Sequence, residues 1–113
     1  MRTEDHTFVI CAFKESPYLE ECIKSLKEQT IQSKIVMITS TPNNFINGMA
    51  KRYNIPLLVN TASSGIAQDW NFAYEQSYSK YITLVHQDDY YMPEYLQTVM
   101  AQLKNRKKPL IFF

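Results

Sequence analysis

Glycine is almost missing from this chain. Its 113 residues hold two, Gly48 and Gly65, too far apart for a Walker loop or a Gly-x-Gly-x-x-Gly turn, both of which need neighbouring glycines. No glycine-rich loop can cradle a phosphate here. Cysteine is equally scarce. Cys11 and Cys22 lie in apolar settings and read as small core residues of a reducing compartment. With His6 and His86 they form no zinc-ligand spacing. A serine-hydrolase Gly-x-Ser-x-Gly elbow is absent too. Charge of one sign is not in excess: 12 basic residues stand against 11 acidic ones, net +1, which leaves no electrostatic footprint for nucleic acid. The densest basic run, from Lys104 to Lys108, suits a helix C-terminus. No apolar stretch approaches the ~18 residues of a membrane span, and the N-terminus MRTEDHTF is too polar for a signal peptide. The expectation is a cytoplasmic chain of one domain, with any membrane contact peripheral and at the inner face.

What is present is a strict alternation. TFVICAF, KIVMIT, IPLLVN, YITLV and PLIFF are continuous apolar runs, the pattern of strands buried on both faces. Between them lie amphipathic stretches. In SPYLEECIKSLKEQ, Leu19, Cys22, Ile23 and Leu26 make one apolar stripe at helical spacing. Ser16 is placed to cap this helix, Pro17 suits its first turn, and Glu20 and Glu21 suit its positive end. Thr41 and Pro42 open a second helix carrying Ile46, Met49, Ala50 and Tyr53. A third is expected from Ile66 through Trp70, Ala73, Tyr74 and Ser77, and a fourth from Pro93 with Leu96, Val99, Met100 and Leu103. The pattern predicts an α/β fold, a mostly parallel sheet with helices on both faces.

Ligands of such sheets bind outside the carboxyl ends of the strands. That rule brings four stretches to one edge: Phe13, Lys14 and Glu15; Ser40 and Thr41; residues 60–65; and His86, Gln87, Asp88 and Asp89. Two adjacent carboxylates repel each other unless water, donors or a cation compensates. A solvated turn before a helix would explain the pair. So would a divalent cation: Mg²⁺ needs one or two carboxylates beside substrate phosphates, and Asp88 and Asp89 supply that many. Phe13 ends its strand at this edge, where an aromatic ring either stacks on a base or belongs to the core. A phosphoacceptor receiver domain carries its paired acids after the first strand, where this chain has Phe13, Lys14 and Glu15.

Three stretches, FVICAFKESPYLEECIKSLKEQT, SGIAQDWNFAY and VHQDDYYMPEYL, together resemble the family 2 glycosyltransferases. The first is similar to the family's opening strand, loop and helix, with its Ser-Leu and Gln-Thr. The last is similar to its acidic metal motif followed by Pro-x-x-Leu. The resemblance implies a Rossmann-like A-type fold and a nucleotide-diphospho-sugar donor bound with Mn²⁺ or Mg²⁺. In the full enzyme, a hexosyltransferase-like inverting transfer to a sugar or glycan acceptor follows. Asp89 matches the metal ligand, Asp88 the acid that contacts the ribose or shares the metal, and Phe13 the aromatic near the base. Gly65 and Asn71 match the loop and helix that close over the donor. Lys14, Ser40 and Thr41, at the same edge, complete the expected donor-binding set.

The chain departs from the family pattern at three places. An acidic residue usually follows the second strand, where this chain reads Thr39, Ser40, Thr41; His86 replaces the first acid of a full Asp-x-Asp; and Trp70 stands where an arginine is usual. The family's catalytic base and acceptor site lie in a second half. Residues 1–113 are therefore expected to be a nucleotide-sugar-binding domain lacking its C-terminal acceptor half. Such a chain offers no catalytic residue that the sequence identifies and is expected to have no transfer activity alone, and its apolar C-terminal strand would invite a homodimer. The rival reading is a non-catalytic nucleotide- or sugar-binding module of the same fold.

Overall fold

The computed structural model describes residues 6–60, 81–103 and 110–112. Five strands form one parallel sheet: β1 (His6–Ala12), β2 (Lys34–Thr39), β3 (Leu57–Val59), β4 (Tyr81–His86) and β5 (Leu110–Phe112). Their spatial order is β3-β2-β1-β4-β5. Three helices are described: α1 (Leu19–Lys27), α2 (Asn44–Arg52) and α3 (Tyr95–Leu103). The helix expected from Ile66 lies outside the described residues, as does the basic run after Leu103. None of the described helices is long and apolar enough to cross a membrane.

The sheet sorts the apolar strand residues by parity, because successive side chains point to opposite faces. Phe8, Ile10, Ala12, Met37 and Val85 face the three helices and pack with Leu19, Cys22, Ile23 and Leu26 of α1, Ile46 of α2 and Leu96 of α3. The apolar stripe read from the sequence of α1 is thus its buried face. Full burial of each large side chain contributes about 1.5–3 kcal/mol. Val9, Ile38, Ile82 and Leu84 form a second cluster on the other face, with Leu58 against it.

Helix beginnings differ from the sequence expectation in a consistent way. Helix α1 begins at Leu19 with no side-chain cap at Tyr18, although Ser16 was the expected cap. The Ser16 hydroxyl accepts the Tyr18 N–H (3.2 Å) and donates to Asp88 instead. Asn43, not Thr41, caps α2, its Oδ1 accepting the Ile46 N–H at 2.8 Å. Pro93 lies in a turn before α3, which starts at Tyr95. In the first two cases, the side chain expected at the helix start has a tertiary partner instead, Asp88 for Ser16 and the Lys14 N–H for Thr41.

The crossovers β1–α1–β2 and β4–α3–β5 pass over the same face of the sheet but step in opposite directions from its centre, so they have opposite hands. Right-handed crossovers are the general rule, and one of these two departs from it. The consequence is local: the chain leaving β4 folds back over α1.

At the other end of the sheet His6 is buried between three elements. Ser33 donates its hydroxyl to the His6 carbonyl (2.8 Å). Its contact with Nδ1, also 2.8 Å, therefore requires the proton on Nδ1. Nε2 then accepts from the Thr83 hydroxyl at 2.8 Å, and Tyr95 is hydrogen-bonded to the same threonine. Burial lowers the His6 pKa from 6.5 to about 4. The folded chain therefore binds fewer protons than the unfolded chain between those values. This contribution is full above pH 6.5 and is lost as pH falls towards 4, a change on the order of 3 kcal/mol. Urea unfolding at pH 7 and pH 4.5 should show this loss in the wild type. His6→Gln should flatten the slope in that window; an unchanged slope would remove His6 as its source.

Candidate functional site

Strand order reverses between β1 and β4. From β1 the chain steps out to β2 and β3; from β4 it steps the other way to β5. The carboxyl ends of β1 and β4 thus flank the crevice where open α/β sheets hold ligands. Two segments meet there, residues 13–16 and 86–92.

Gln87 joins them. Its Oε1 accepts the Phe13 N–H (3.0 Å) and its Nε2 donates to the Phe13 carbonyl (2.9 Å). One side-chain amide thereby continues the β1–β4 ladder past its last backbone pair. The Phe13 main chain is fixed while its ring stays 48% exposed, so Phe13 is not a core residue. Lys14 follows with φ 55°. For a residue with a Cβ this left-handed conformation costs about 1–2 kcal/mol, and persists where surroundings over-determine it. Here they do. The Lys14 N–H donates to Thr41 Oγ1 (2.8 Å) and its carbonyl accepts from Asn43 Nδ2 (3.1 Å). Asn43 is also the cap of α2, so the loop after β1 is pinned to the start of that helix. The Lys14 ammonium lies 5.1 Å from the centre of the Phe13 ring. Ser40 is half-buried at the end of β2, beside Thr41.

Asp88 and Asp89 are both exposed at the end of β4. The Asp89 N–H closes a tight turn on the His86 carbonyl (3.0 Å). Ser16, 5% exposed, donates to Asp88 Oδ1 at 2.5 Å. That bond leaves Oδ2 as the carboxylate oxygen not used by Ser16. Adjacent, exposed, hard oxygen donors of this kind suit Mn²⁺ or Mg²⁺ carried in with a diphosphate. Among the described residues no group of three or more His, Cys, Asp or Glu side chains could hold a metal by itself. Cys22 lies under the acids, its thiol donating to the His86 carbonyl at 3.5 Å. Burial, with Asp89 and Asp88 adding, pushes its pKa up to about 12, which keeps the thiol protonated at neutral pH.

The acid-bearing segment is hung on α1. The Tyr91 N–H donates to Ser25 Oγ (3.1 Å). Gln29, 3% exposed, donates to the Met92 carbonyl (2.7 Å) and accepts the Leu96 N–H (2.9 Å). The Thr30 N–H reaches the Pro93 carbonyl (2.9 Å) and its hydroxyl reaches Gln97 (2.8 Å). Tyr91 is buried edge-on against Tyr95, ring centres 4.8 Å apart, and burial raises its pKa. Sequence reasoning saw Ser25, Gln29 and Thr30 only as family-like letters, the Ser-Leu and Gln-Thr of the first motif. It placed Gln87 at the edge without a role, and missed Ser16 and Asn43 as parts of the site. Polar residues among the buried positions of a helix and its exit, as Ser25 and Gln29 are, were the available signal.

Phe13, Lys14, Ser40 and Thr41 therefore gather on the β1–β2 side of the crevice, and Asp88 and Asp89 on its β4 side. Gly65 and Asn71, with Trp70, lie outside the described residues. Tyr18, Tyr90 and Met92 are also exposed, at 58%, 60% and 65%. A separate depression of about 580 Å³, lined by Ala50, Asn54, Pro56 and Leu57 among others, lies at the amino end of β3. It is remote from the acids.

Comparison with known proteins agrees with this geometry. No curated protein sequence matches the chain. Among solved structures, the crystal structure of S. aureus TarS 1-349 superposes with a TM-score of 0.75 at 19% sequence identity. The match covers 88% of this chain and 32% of that one, so this chain corresponds to about a third of the TarS fragment, and at that identity the likeness concerns the fold. The family model for glycosyl transferase family 2 matches residues 7–111. With a parallel α/β sheet of this order and paired acids at its switch point, the chain belongs to glycosyl transferase family 2.

Proposed function

We propose that these 113 residues form the donor-binding part of a metal-dependent, inverting sugar transferase, taking a nucleoside diphosphate sugar as ligand. The observation that carries the reading is the placement of Asp88 and Asp89 beside Phe13 at the β1/β4 switch point. Asp89, with Asp88, would hold Mn²⁺ or Mg²⁺, and the ion supplies charge neutralisation for the leaving diphosphate. The chain's own residues do the rest of the donor work. Phe13 offers a flat apolar face to the base, on a backbone that Gln87 immobilises. Ser16 holds Asp88 in one orientation through Oδ1. Lys14, Ser40 and Thr41 would line the donor from the β1–β2 side, and Gly65 and Asn71 complete the set. The acceptor hydroxyl must lose a proton to a base within hydrogen-bond reach. On this reading that base and the acceptor wall belong to the other portion of the enzyme, so these residues alone bind donor without turning it over.

Calorimetry is the direct test of the acids. UDP or GDP should bind the wild type at least tenfold more tightly in Mn²⁺ than in EDTA, since direct metal coordination of phosphate oxygens is worth several kcal/mol. Asp89→Ala should lose that gain. Equal affinity of the variant and the wild type in Mn²⁺ would sink the metal role.

The base side is tested by Phe13→Leu. Stacking on a base is worth about 1–3 kcal/mol, and the half-exposed ring contributes little to the core. Nucleotide affinity should fall about five- to a hundredfold with Tm nearly unchanged; a large fall in Tm with affinity intact would return Phe13 to a packing role.

The isolated chain should form no product from UDP- or GDP-sugars with simple acceptors. Acceptor-dependent transfer by purified monomer would show that the catalytic base lies within these residues.

A further inference from the structure

Two non-glycine residues with positive φ occur among those described, and they differ in kind. Asn54 (φ 55°) follows the last turn of α2. The Asn54 and Ile55 N–H groups close on the Lys51 and Ala50 carbonyls at 3.2 and 2.8 Å, the usual left-handed ending of a helix with a residue type that tolerates it. Lys14 (φ 55°) ends no helix, and lysine does not favour that region. Its two locking bonds, to Thr41 and Asn43, are made by its backbone. Glycine or asparagine at this position would make both with less strain. Folding therefore gives no reason for a lysine. Nor does pairing: among the described residues the one ion pair is Arg52–Glu20, and among them the Lys14 ammonium has the Phe13 ring as its neighbour. A strained backbone that sets a cation with no carboxylate partner among the described residues over a half-exposed aromatic ring, at the switch-point edge, is explained by a ligand.

Resting on the donor-binding reading, we propose that Lys14 is a ligand-contacting residue whose ammonium pairs with a phosphate of the nucleotide whose base stacks on Phe13. The two adjacent side chains match the two adjacent parts of such a ligand, a flat base and, one ribose away, an anion. The charge balance supports the same assignment. Asp88 and Asp89 repel a bare diphosphate, and on their side of the crevice only a bound cation can offset this. Lys14 attracts it from the β1–β2 side without any metal. Nucleotide binding accordingly has two separable parts, a metal-dependent one at the acids and a metal-independent one at Lys14.

Calorimetry in EDTA isolates the second part, with UDP, GDP, uridine and inorganic pyrophosphate as probes on the wild type, Lys14→Gln and Lys14→Gly. In the wild type UDP or GDP should bind more tightly than uridine or pyrophosphate. Both variants should lose about tenfold or more in nucleotide affinity, the worth of a charge-assisted hydrogen bond, with uridine binding unchanged. Their residual affinity should depend less on salt. Lys14→Gly, which relieves the backbone, should keep the wild-type Tm or exceed it, so that lost binding is not lost folding. Unchanged UDP and GDP affinity in both variants would overturn the Lys14 assignment and leave the donor site standing. A lower Tm in Lys14→Gly would also overturn it, since the lysine would then serve the fold. Failure of the wild type to bind either nucleotide, in EDTA and in Mn²⁺ alike, would overturn the donor reading and Lys14 with it.

Discussion

A chain that leaves the end of β4 and folds back over α1 carries peptide groups into a partly buried place, where each unmatched N–H or carbonyl costs about 1–3 kcal/mol. The polar residues of α1 and its exit meet that demand. Ser25 takes the Tyr91 N–H, Gln29 takes both the Met92 carbonyl and the Leu96 N–H, and Thr30 takes the Pro93 carbonyl. The position of the two aspartates follows from this attachment. They occupy the short turn between a buried strand and an anchored segment, with little freedom to move away from the crevice. The letters Ser-Leu and Gln-Thr, some distance from the acids in sequence, are thus part of the acid site's construction.

The opposite bank of the crevice is built by the same means with other residues. Gln87, Thr41 and Asn43 hold the backbone of Phe13 and Lys14 from two sides, and Ser16 crosses to Asp88. Side-chain amides and hydroxyls do here what ladder hydrogen bonds do inside the sheet. They extend its rigidity one or two residues beyond the strand ends, where a ligand would be met. This division leaves the charged and aromatic groups of residues 13, 14, 88 and 89 exposed, while the groups that orient them are partly or fully buried. A scaffold of this kind suits preorganised binding, in which little side-chain entropy remains to be lost when the ligand arrives.

Much of the architecture was readable beforehand, because it depends on patterns that repeat. Five apolar runs marked five strands, and the stripe of Leu19, Cys22, Ile23 and Leu26 marked the buried face of α1. The strand-end rule alone brought Phe13, Lys14, Ser40, Thr41, Asp88 and Asp89 to one edge. The errors lay at single residues whose hydrogen-bonding groups had more than one partner to choose from. Ser16 was expected at the start of α1 and serves Asp88. Thr41 was expected to open α2 and receives Lys14, leaving the cap to Asn43. Local rules rank the near partner first, whereas the fold supplied a distant one with better geometry.

The sequence by itself determined the class of fold, the edge at which chemistry gathers and the acids that mark it, since hydrophobic period and residue type are properties of the chain taken a few residues at a time. It also excluded a glycine-rich phosphate loop and a zinc centre. Tertiary structure alone decided that the segment after β4 lies on α1, that Gln87 closes the ladder onto Phe13, and that Lys14 is held at positive φ with its ammonium over an aromatic ring. Each of these joins residues far apart in sequence or sets a torsion against its local preference. Such outcomes are settled only by the sum of contacts in the folded chain, because no short stretch contains both partners of the interactions that enforce them.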